Sequence, residues 1–185
     1  MVLCEVLWVE ILRCELNSSM MALKIYRYLV DDHLRLDDAL RRATRNPNTI
    51  DMAAYAEFRE GLLRHISMEE KILLPAACAA NGGQPVPAAA RIHLDHGALA
   101  ALLVPTPTPS IVAAIKSILE SHNPVEEGPG AVYEECERLL ASHADEVAAR
   151  LQNARRVAVA PHVDSTIAFD SARAALRKAG YNFDF

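Results

Sequence analysis

The sequence predicts an all-α protein, an up-and-down antiparallel four-helix bundle with an additional C-terminal helix. Three observations lead to this fold class. Apolar residues recur every three or four positions over long segments, as they do on the buried face of a helix. Segments that alternate like a strand are nearly absent, and most of the ten prolines fall between or beyond the helical segments. Short connections between such segments favour antiparallel neighbours.

The first two helices are bounded by turn and cap signals. The first should span residues 20–44 and end at the Asn-Pro-Asn of residues 46–48, because proline cannot continue a helix. The second should begin near Asp51, a good N-cap residue, and span residues 51–80. Pro75 is expected to kink or shorten its end.

The remaining helices are separated by proline and glycine. The third should span residues 86–104, and a proline-rich stretch follows it. Ser110 is the expected cap of the fourth helix, which leads to the Gly-Pro-Gly of residues 128–130. A fifth helix is expected over residues 131–155, and a short one over residues 165–178.

These elements divide the chain into three parts. Residues 1–19 are expected to be an N-terminal extension that is either not native or loosely packed, since Met20 and Met21 offer a natural start just before the first helix. The bundle should cover residues 20–155, and residues 156–185 should form a tail. The extension has no basic segment and no 18-residue apolar run, so it supports neither a secretory signal nor a membrane span.

Composition narrows the class of protein. A chain of 185 residues that is 51% hydrophobic suits one domain with its own core. The net charge is −5 and no basic stripe appears, which argues against nucleic acid as a partner. The four cysteines form no Cys-x-x-Cys pair and are expected to be small core residues in a reducing cytoplasm. They are Cys4, Cys14, Cys78 and Cys136.

One motif occurs twice. The pattern His-x-x-x-Glu-Glu stands at residues 65–70 and again at residues 122–127, and each copy follows an Asp-His pair, at residues 32–33 and 95–96. The leucines and isoleucines around the Asp-His pairs also repeat at matching positions. One helical hairpin is therefore used twice, with the order His, His-x-x-x-Glu, His, His-x-x-x-Glu.

This order predicts a metal site inside the bundle. A His and a Glu four residues apart lie one turn apart on the same face of a helix, so His65 and Glu69 can reach one metal or clasp two. His33 and His96 stand alone among leucines on apolar faces. Two buried carboxylates cost several kcal/mol each unless they are compensated, and no Lys or Arg stands at a matching position. Imidazole with carboxylate suits iron, manganese or zinc.

The repeated motif resembles that of the hemerythrin-like, or HHE cation-binding, family over residues 24–140. The resemblance implies an up-and-down four-helix bundle, often with a fifth helix, that holds two iron ions joined by an oxo or hydroxo bridge; manganese and zinc are weaker candidates. Oxygen-carrying members have a second His four residues before the third-helix ligand, where this chain has Ile92, so the chain resembles the iron- and oxygen-responsive branch more than the carriers. The implied ligands are His33, His65, Glu69, His96, His122 and Glu126.

Pro124 is the one departure inside the second motif. Proline removes a backbone donor and biases Asn123 away from the helix, so the helix is expected either to kink or to restart with Asn123 as its cap. In the second case Glu126 is displaced and Glu127 can take its place.

The other polar residues near the motif are weaker candidates. His93 is expected at the rim or surface rather than behind a ligand. Asp37 is expected to be solvated rather than to orient His33. His143 and His162 are expected to be structural or without chemical context. Outward-facing side chains are expected for Asp32, Glu70 and Asp95.

Three functions compete at this point. The first is a non-enzymatic di-iron protein that binds or senses oxygen, iron or a related diatomic, with no nucleic acid or membrane partner and an unknown protein partner. The second is a di-iron oxidase or peroxide-consuming enzyme. The third is a metal-free helical interaction module. Four His and two Glu make a nitrogen-rich site, whereas ferritin-like oxidases use carboxylate-rich ones, and this favours ligand binding over catalysis.

Overall fold

The computed structural model of the protein describes residues 23–183. Within these residues the chain is helical and has no strand, which confirms the all-helical class. The predicted extension over residues 1–19, together with Cys4 and Cys14, lies outside the described residues. Of the other two cysteines, Cys136 is buried and Cys78 is partly buried, both as free thiols.

The helices follow the predicted order along the chain. A π-helical turn, Glu69–Leu73, joins α2 to α3, and a 3-10 turn, Ala141–His143, lies between α6 and α7. The α-helices are α1 Lys24–Ala43, α2 Met52–Met68, α3 Leu74–Ala80, α4 Ala89–Leu102, α5 Pro109–Glu127, α6 Val132–Leu139, α7 Ala144–Gln152 and α8 Thr166–Lys178.

Side-chain caps define three of the helix starts. Asp51 caps α2 as predicted, because its carboxylate accepts hydrogen bonds from the backbone N–H groups of Ala53 and Ala54. The cap of α5 is Thr108, not the predicted Ser110. Pro109 accounts for the difference, since proline suits the first helical position and moves the cap to the residue before it.

The second predicted helix contains a local change of winding before Pro75. The N–H of Leu74 bonds to the carbonyl of Glu69, which is the wider spacing of a π-helix. Pro75 lacks an N–H and its ring crowds the carbonyl four residues earlier, so a regular α-helix is disfavoured at this point. The π-helical turn begins at Glu69, one of the predicted ligands. Its wider spacing rotates the side chains that follow relative to those of a regular α-helix.

The core consists of two apolar clusters, one on either side of the predicted ligands. The first cluster contains Leu36, Leu62, Leu99 and Ile118, and the second contains Ile25, Leu29, Met68 and Ile92, among others. Along α1 the chain passes from the second cluster to the first, along α2 it returns, and α4 and α5 repeat this alternation. Such alternation is expected if successive helices run in opposite directions.

The fifth predicted helix is two helices, α6 and α7, because the chain breaks at residues 140–143. Neither proline nor glycine stands at this break. The break lets apolar side chains from both helices enter the second cluster. They are Val132, Tyr133, Cys136, Leu140, Val147 and Leu151.

The short C-terminal helix is present as α8. Ser165 caps it, accepting a hydrogen bond from the N–H of Ala168. Its buried residues Ala172 and Leu176 join the first apolar cluster, and it packs against α4. Among the described helices none combines the length and apolar composition that crossing a bilayer requires.

Candidate metal centre

The six predicted ligand residues lie together between the two apolar clusters. They come from α1, α2, the π-helical turn, α4 and α5, the elements that carry the repeated motif. All six are buried, from Glu126 with no exposed surface to His33 with 8% of its surface exposed. They are His33, His65, Glu69, His96, His122 and Glu126.

On one side of the cluster two histidines face one oxygen of each glutamate. His65 Nε2 lies 3.5 Å from Glu69 Oε1, and His33 Nε2 lies 3.5 Å from Glu126 Oε2. The two imidazole rings are adjacent, with their centroids 4.4 Å apart. We call this group of four donor atoms the first donor set.

The other side repeats the arrangement with the remaining oxygens. His96 Nε2 lies 3.1 Å from Glu69 Oε2 and 3.5 Å from Glu126 Oε1, and His122 Nε2 lies 3.0 Å from Glu126 Oε1. We call these atoms the second donor set. Both glutamates therefore contribute one oxygen to each set, as expected for carboxylates that bridge two cations.

Several of these atoms have no hydrogen-bond partner among the described residues. They include Glu69 Oε2, His96 Nε2 and Glu126 Oε1. His96 Nε2 and Glu69 Oε2 are close enough to interact but are not aligned as a hydrogen bond. Buried polar atoms without partners are costly. The ligand atoms of His96, His122 and Glu126 lie within 4.8 Å of one another, close enough to hold a cation, and those of His33, His65 and Glu126 do the same on the other side. The residues present therefore fit a bound metal.

The second nitrogen of two imidazoles faces an aspartate. His65 Nδ1 lies 2.9 Å from Asp32, and His122 Nδ1 lies 3.4 Å from Asp95. The sequence-based prediction that these aspartates face outward was wrong, since their exposed fractions are 8% and 1%. Each aspartate reaches the next helix along the chain, where the Nδ1–H of an imidazole needs an acceptor.

The other two imidazoles face the second glutamate of each Glu-Glu pair. His96 Nδ1 lies 2.8 Å from Glu70, and His33 Nδ1 lies 3.4 Å from Glu127. The predicted outward orientation of Glu70 was also wrong, because its side chain is partly buried against His96. Carboxylates in this position orient an imidazole and raise its basicity as a ligand.

Arginines hold both aspartates in place. Arg35 Nε donates to Asp32 Oδ1 over 2.8 Å, and Arg91 Nε donates to Asp95 Oδ2 over 3.0 Å. Arg91 also donates to the phenol oxygen of Tyr181 over 2.7 Å. The C-terminal segment thus contacts the aspartate that faces one of the cluster imidazoles.

The carboxylates raise the pKa of three imidazoles when no metal is bound. Burial alone would lower the pKa of His65, but the Glu69 charge and the Asp32 hydrogen bond raise it to about 10. Carboxylates likewise outweigh burial at His96 and His122, where the pKa rises to about 11 and about 9. These rings are therefore protonated at neutral pH until a metal displaces the protons.

The imidazoles lower the pKa of both glutamates in return. Burial raises the pKa of Glu69, but His65 and His96 bring it well below its ordinary value. Burial and the Glu69 charge raise the pKa of Glu126, yet His122 and His96 outweigh them and the net shift is downward. Both carboxylates are therefore ionised at neutral pH and available to cations.

Tyr133 is a cluster residue that the sequence did not indicate. It is fully buried on α6, and its phenol oxygen lies 2.5 Å from Glu69 Oε1 and 3.1 Å from Glu126 Oε2. The same oxygen lies 3.2 Å from His65 Nε2 and 3.3 Å from His33 Nε2. Tyr133 stands outside the repeated motif and has no counterpart in the other half, so the repeat carries no signal for it.

Pro124 does not displace Glu126. Helix α5 continues to Glu127, and Pro124 is exposed on its outer face. Asn123 is therefore inside the helix and not its cap. Glu126 points into the cluster, and Glu127 lies behind His33.

The remaining candidates lie at the periphery. His93 is an exposed side chain 3.2 Å from Glu70, and Asp37 and His143 are exposed. His162 is partly exposed and lies 3.3 Å from a backbone carbonyl. None of these four side chains contributes an atom to either donor set.

Comparison with known proteins agrees with this geometry. A family model described as the hemerythrin HHE cation-binding domain matches residues 24–152, which include every residue of both donor sets and Tyr133. No curated protein and no solved structure matches the chain. Since the family model covers well over half of the sequence, the chain belongs to the hemerythrin family of HHE cation-binding domains.

Proposed function

We propose that the protein holds two iron ions, joined by an oxo or hydroxo bridge, and binds or senses oxygen, iron or a related diatomic without acting as an enzyme. The proposed ligands of one iron are His33 and His65, those of the other are His96 and His122, and Glu69 and Glu126 bridge the pair. An up-and-down bundle and a cytoplasmic location belong to the same proposal.

One observation carries the dinuclear part of the proposal. Glu69 and Glu126 each direct one oxygen to the first donor set and the other oxygen to the second. A single ion would be contacted by only one of the two donor sets and would leave the charge of the other set uncompensated. Two divalent ions instead place positive charge beside every carboxylate oxygen and free imidazole nitrogen in the cluster.

The donor atoms support iron and a binding role. Four imidazoles and two carboxylates suit iron, and no thiolate from the described residues enters the cluster. When bound, each iron would supply a reversible one-electron change of oxidation state and a position to which a diatomic can bind. The chain's own residues orient the imidazoles through four carboxylates and keep bulk water out by burial.

The experiment is metal analysis of protein from iron-replete cells, combined with optical spectra under air and under argon. We expect close to two irons per chain and a visible spectrum that changes reversibly between the two gases. A reproducible content of one zinc and no iron would contradict the dinuclear iron proposal. Two irons with rapid, continuing consumption of peroxide would instead establish an enzyme.

A further inference from the structure

The phenol oxygen of Tyr133 lies within 3.3 Å of all four atoms of the first donor set. The separations are 2.5 Å to Glu69 Oε1, 3.1 Å to Glu126 Oε2, 3.2 Å to His65 Nε2 and 3.3 Å to His33 Nε2. The second donor set has no such residue among those the structure describes. The two halves of the cluster therefore differ by one oxygen atom.

Three of these separations, those to Glu126, His65 and His33, are close to the distance between neighbouring ligands of one octahedral ion. Imidazole and carboxylate bonds to first-row metals are about 2.1 Å long, so adjacent ligand atoms are separated by about 3.0 Å. An oxygen at this distance from four donors takes the apex above them.

We propose that the Tyr133 oxygen is a ligand of the metal held by His33 and His65, and that an exogenous ligand therefore binds to the metal held by His96 and His122. The inference rests on the proposed dinuclear centre and deepens it. His33, His65, Glu69, Glu126, a solvent-derived bridge and Tyr133 would together offer six donors to this metal.

The second metal would keep an open position, because the described residues offer it no sixth donor. Two imidazoles, the two carboxylates and the bridge supply five donors. The helix position one turn before His96 is Ile92, a buried apolar side chain that offers no donor. Small ligands are thus directed to the half of the centre that lacks the tyrosine.

The structure holds Tyr133 rigidly in this place. On the same helix, Glu137 accepts hydrogen bonds from the backbone N–H groups of Ile25 and Tyr26 over 2.8 Å and 3.0 Å, which fixes α6 to the N-terminus of α1. The ring of Tyr26 packs edge-on against the Tyr133 ring, with centroids 6.3 Å apart. The phenol is therefore positioned before any metal arrives.

Coordination is a simple exchange. The phenol O–H bond breaks, an oxygen–metal bond forms, and the proton is released to the buffer, with no change of oxidation state. Burial and the charges of Glu126 and Glu69 raise the pKa of the Tyr133 phenol in the metal-free protein. Two bound cations would offset these charges.

The test compares Tyr133→Phe with Tyr55→Phe, which removes another buried phenol, one that lies outside the cluster and has no hydrogen-bond partner among the described residues. We expect the diferric wild type to show a broad tyrosinate-to-iron absorption band in the visible. Tyr133→Phe should lose the band while keeping two irons, and Tyr55→Phe should keep both. A band retained in Tyr133→Phe would overturn the proposal.

One further measurement needs only the wild-type protein and keeps the proposal falsifiable if Tyr133→Phe does not fold, and a second uses Tyr133→Phe when it folds. In wild-type protein grown with ring-deuterated tyrosine, resonance Raman modes excited in the band should shift, and unshifted modes would overturn the proposal. Azide titration should give one azide per wild-type centre and two for a folded Tyr133→Phe, whereas an unchanged count would contradict a closed first position. Failure to load two irons at all would instead refute the underlying dinuclear function.

Discussion

Each of the four cluster imidazoles has Nε2 toward the donor atoms and Nδ1 toward a carboxylate outside them. This pairing fixes both the ring orientation and the tautomer that presents a lone pair to a metal. The pairs follow the internal repeat, since aspartates serve the rings of α2 and α5 and glutamates serve those of α1 and α4. Metal affinity should therefore depend on residues that are not ligands.

Asp32→Asn should weaken metal binding by about 10- to 100-fold, the usual cost of losing a carboxylate behind a ligand imidazole. The asparagine keeps the shape but removes the charge beside His65 Nδ1. Chelator competition measures the change. Asp37→Asn, an exposed aspartate on the same helix, is the control and should bind metal as the wild type does. Equal affinity in both variants would contradict this role.

Metal uptake should release protons and weaken as the pH falls. The folded metal-free pKa values of His65, His96 and His122 are raised to about 10, 11 and 9, so these rings carry protons at neutral pH that a metal must displace. Apparent affinity should then fall by about tenfold per pH unit for each proton displaced. An indicator dye can count the protons released by the wild type and by His93→Ala, in which an exposed histidine is lost. Uptake without proton release would show that the rings are neutral.

Glu126→Ala should lose iron, whereas Glu127→Ala should keep both irons with weaker binding. Glu126 is fully buried between the donor sets, whereas the Glu127 carboxylate lies beside the outer nitrogen of His33. Iron content of the two variants measures the difference. The reverse result would mean that the helix shifts at Pro124 when metal binds.

At the scale of elements, the cluster depends on helices that two irregular features could have disrupted. The π-helical turn begins at Glu69, and α5 passes through Pro124 without a break. Helix α6 then brings Tyr133 to the cluster from outside the repeated hairpins. The buried carboxylate of Glu137 attaches α6 to the N-terminus of α1 by accepting two backbone hydrogen bonds.

Glu137→Ala should lower the free energy of unfolding by about 1–3 kcal/mol, because two N–H groups at the start of α1 lose a charged acceptor. Chemical denaturation measures the loss. Glu146→Ala, an exposed glutamate on α7, should leave stability nearly unchanged. If both variants unfold at the same denaturant concentration as the wild type, Glu137 does not anchor α6.

The sequence could predict most helices and the residues that meet in the cluster, because both depend on periodicity and on a motif present twice. The repeat also contained a signal for Asp32 and Asp95, since an aspartate precedes the first histidine of each hairpin. Their burial was missed because helix periodicity alone places them beside the core, and only the neighbouring helix supplies the imidazole. Tyr133 and the break in the fifth helix depend on tertiary packing that occurs once, so no local pattern predicts them.

At the scale of the whole molecule, the ligand cluster lies between the two apolar clusters and brings together side chains from α1, α2, α4 and α5. Metal should therefore stabilise the fold, by about 2.7 kcal/mol when free metal is about 100 times the dissociation constant. Glu69→Ala should lose most of this gain, because it removes an oxygen from both donor sets. Thermal unfolding with and without chelator measures the gain, and Glu60→Ala on α2 is the control. Equal gains in wild type and Glu69→Ala would show that Glu69 does not bind metal.

The most direct test of the dinuclear centre is Mössbauer spectroscopy of oxidised protein loaded with iron-57. Two bridged ferric ions should give a coupled, diamagnetic pair that shows no magnetic splitting at low temperature in a weak field. The tyrosine on one half should make the two irons inequivalent and give two resolved doublets of equal area. A magnetically split spectrum from an isolated ferric ion would contradict a dinuclear centre in this protein.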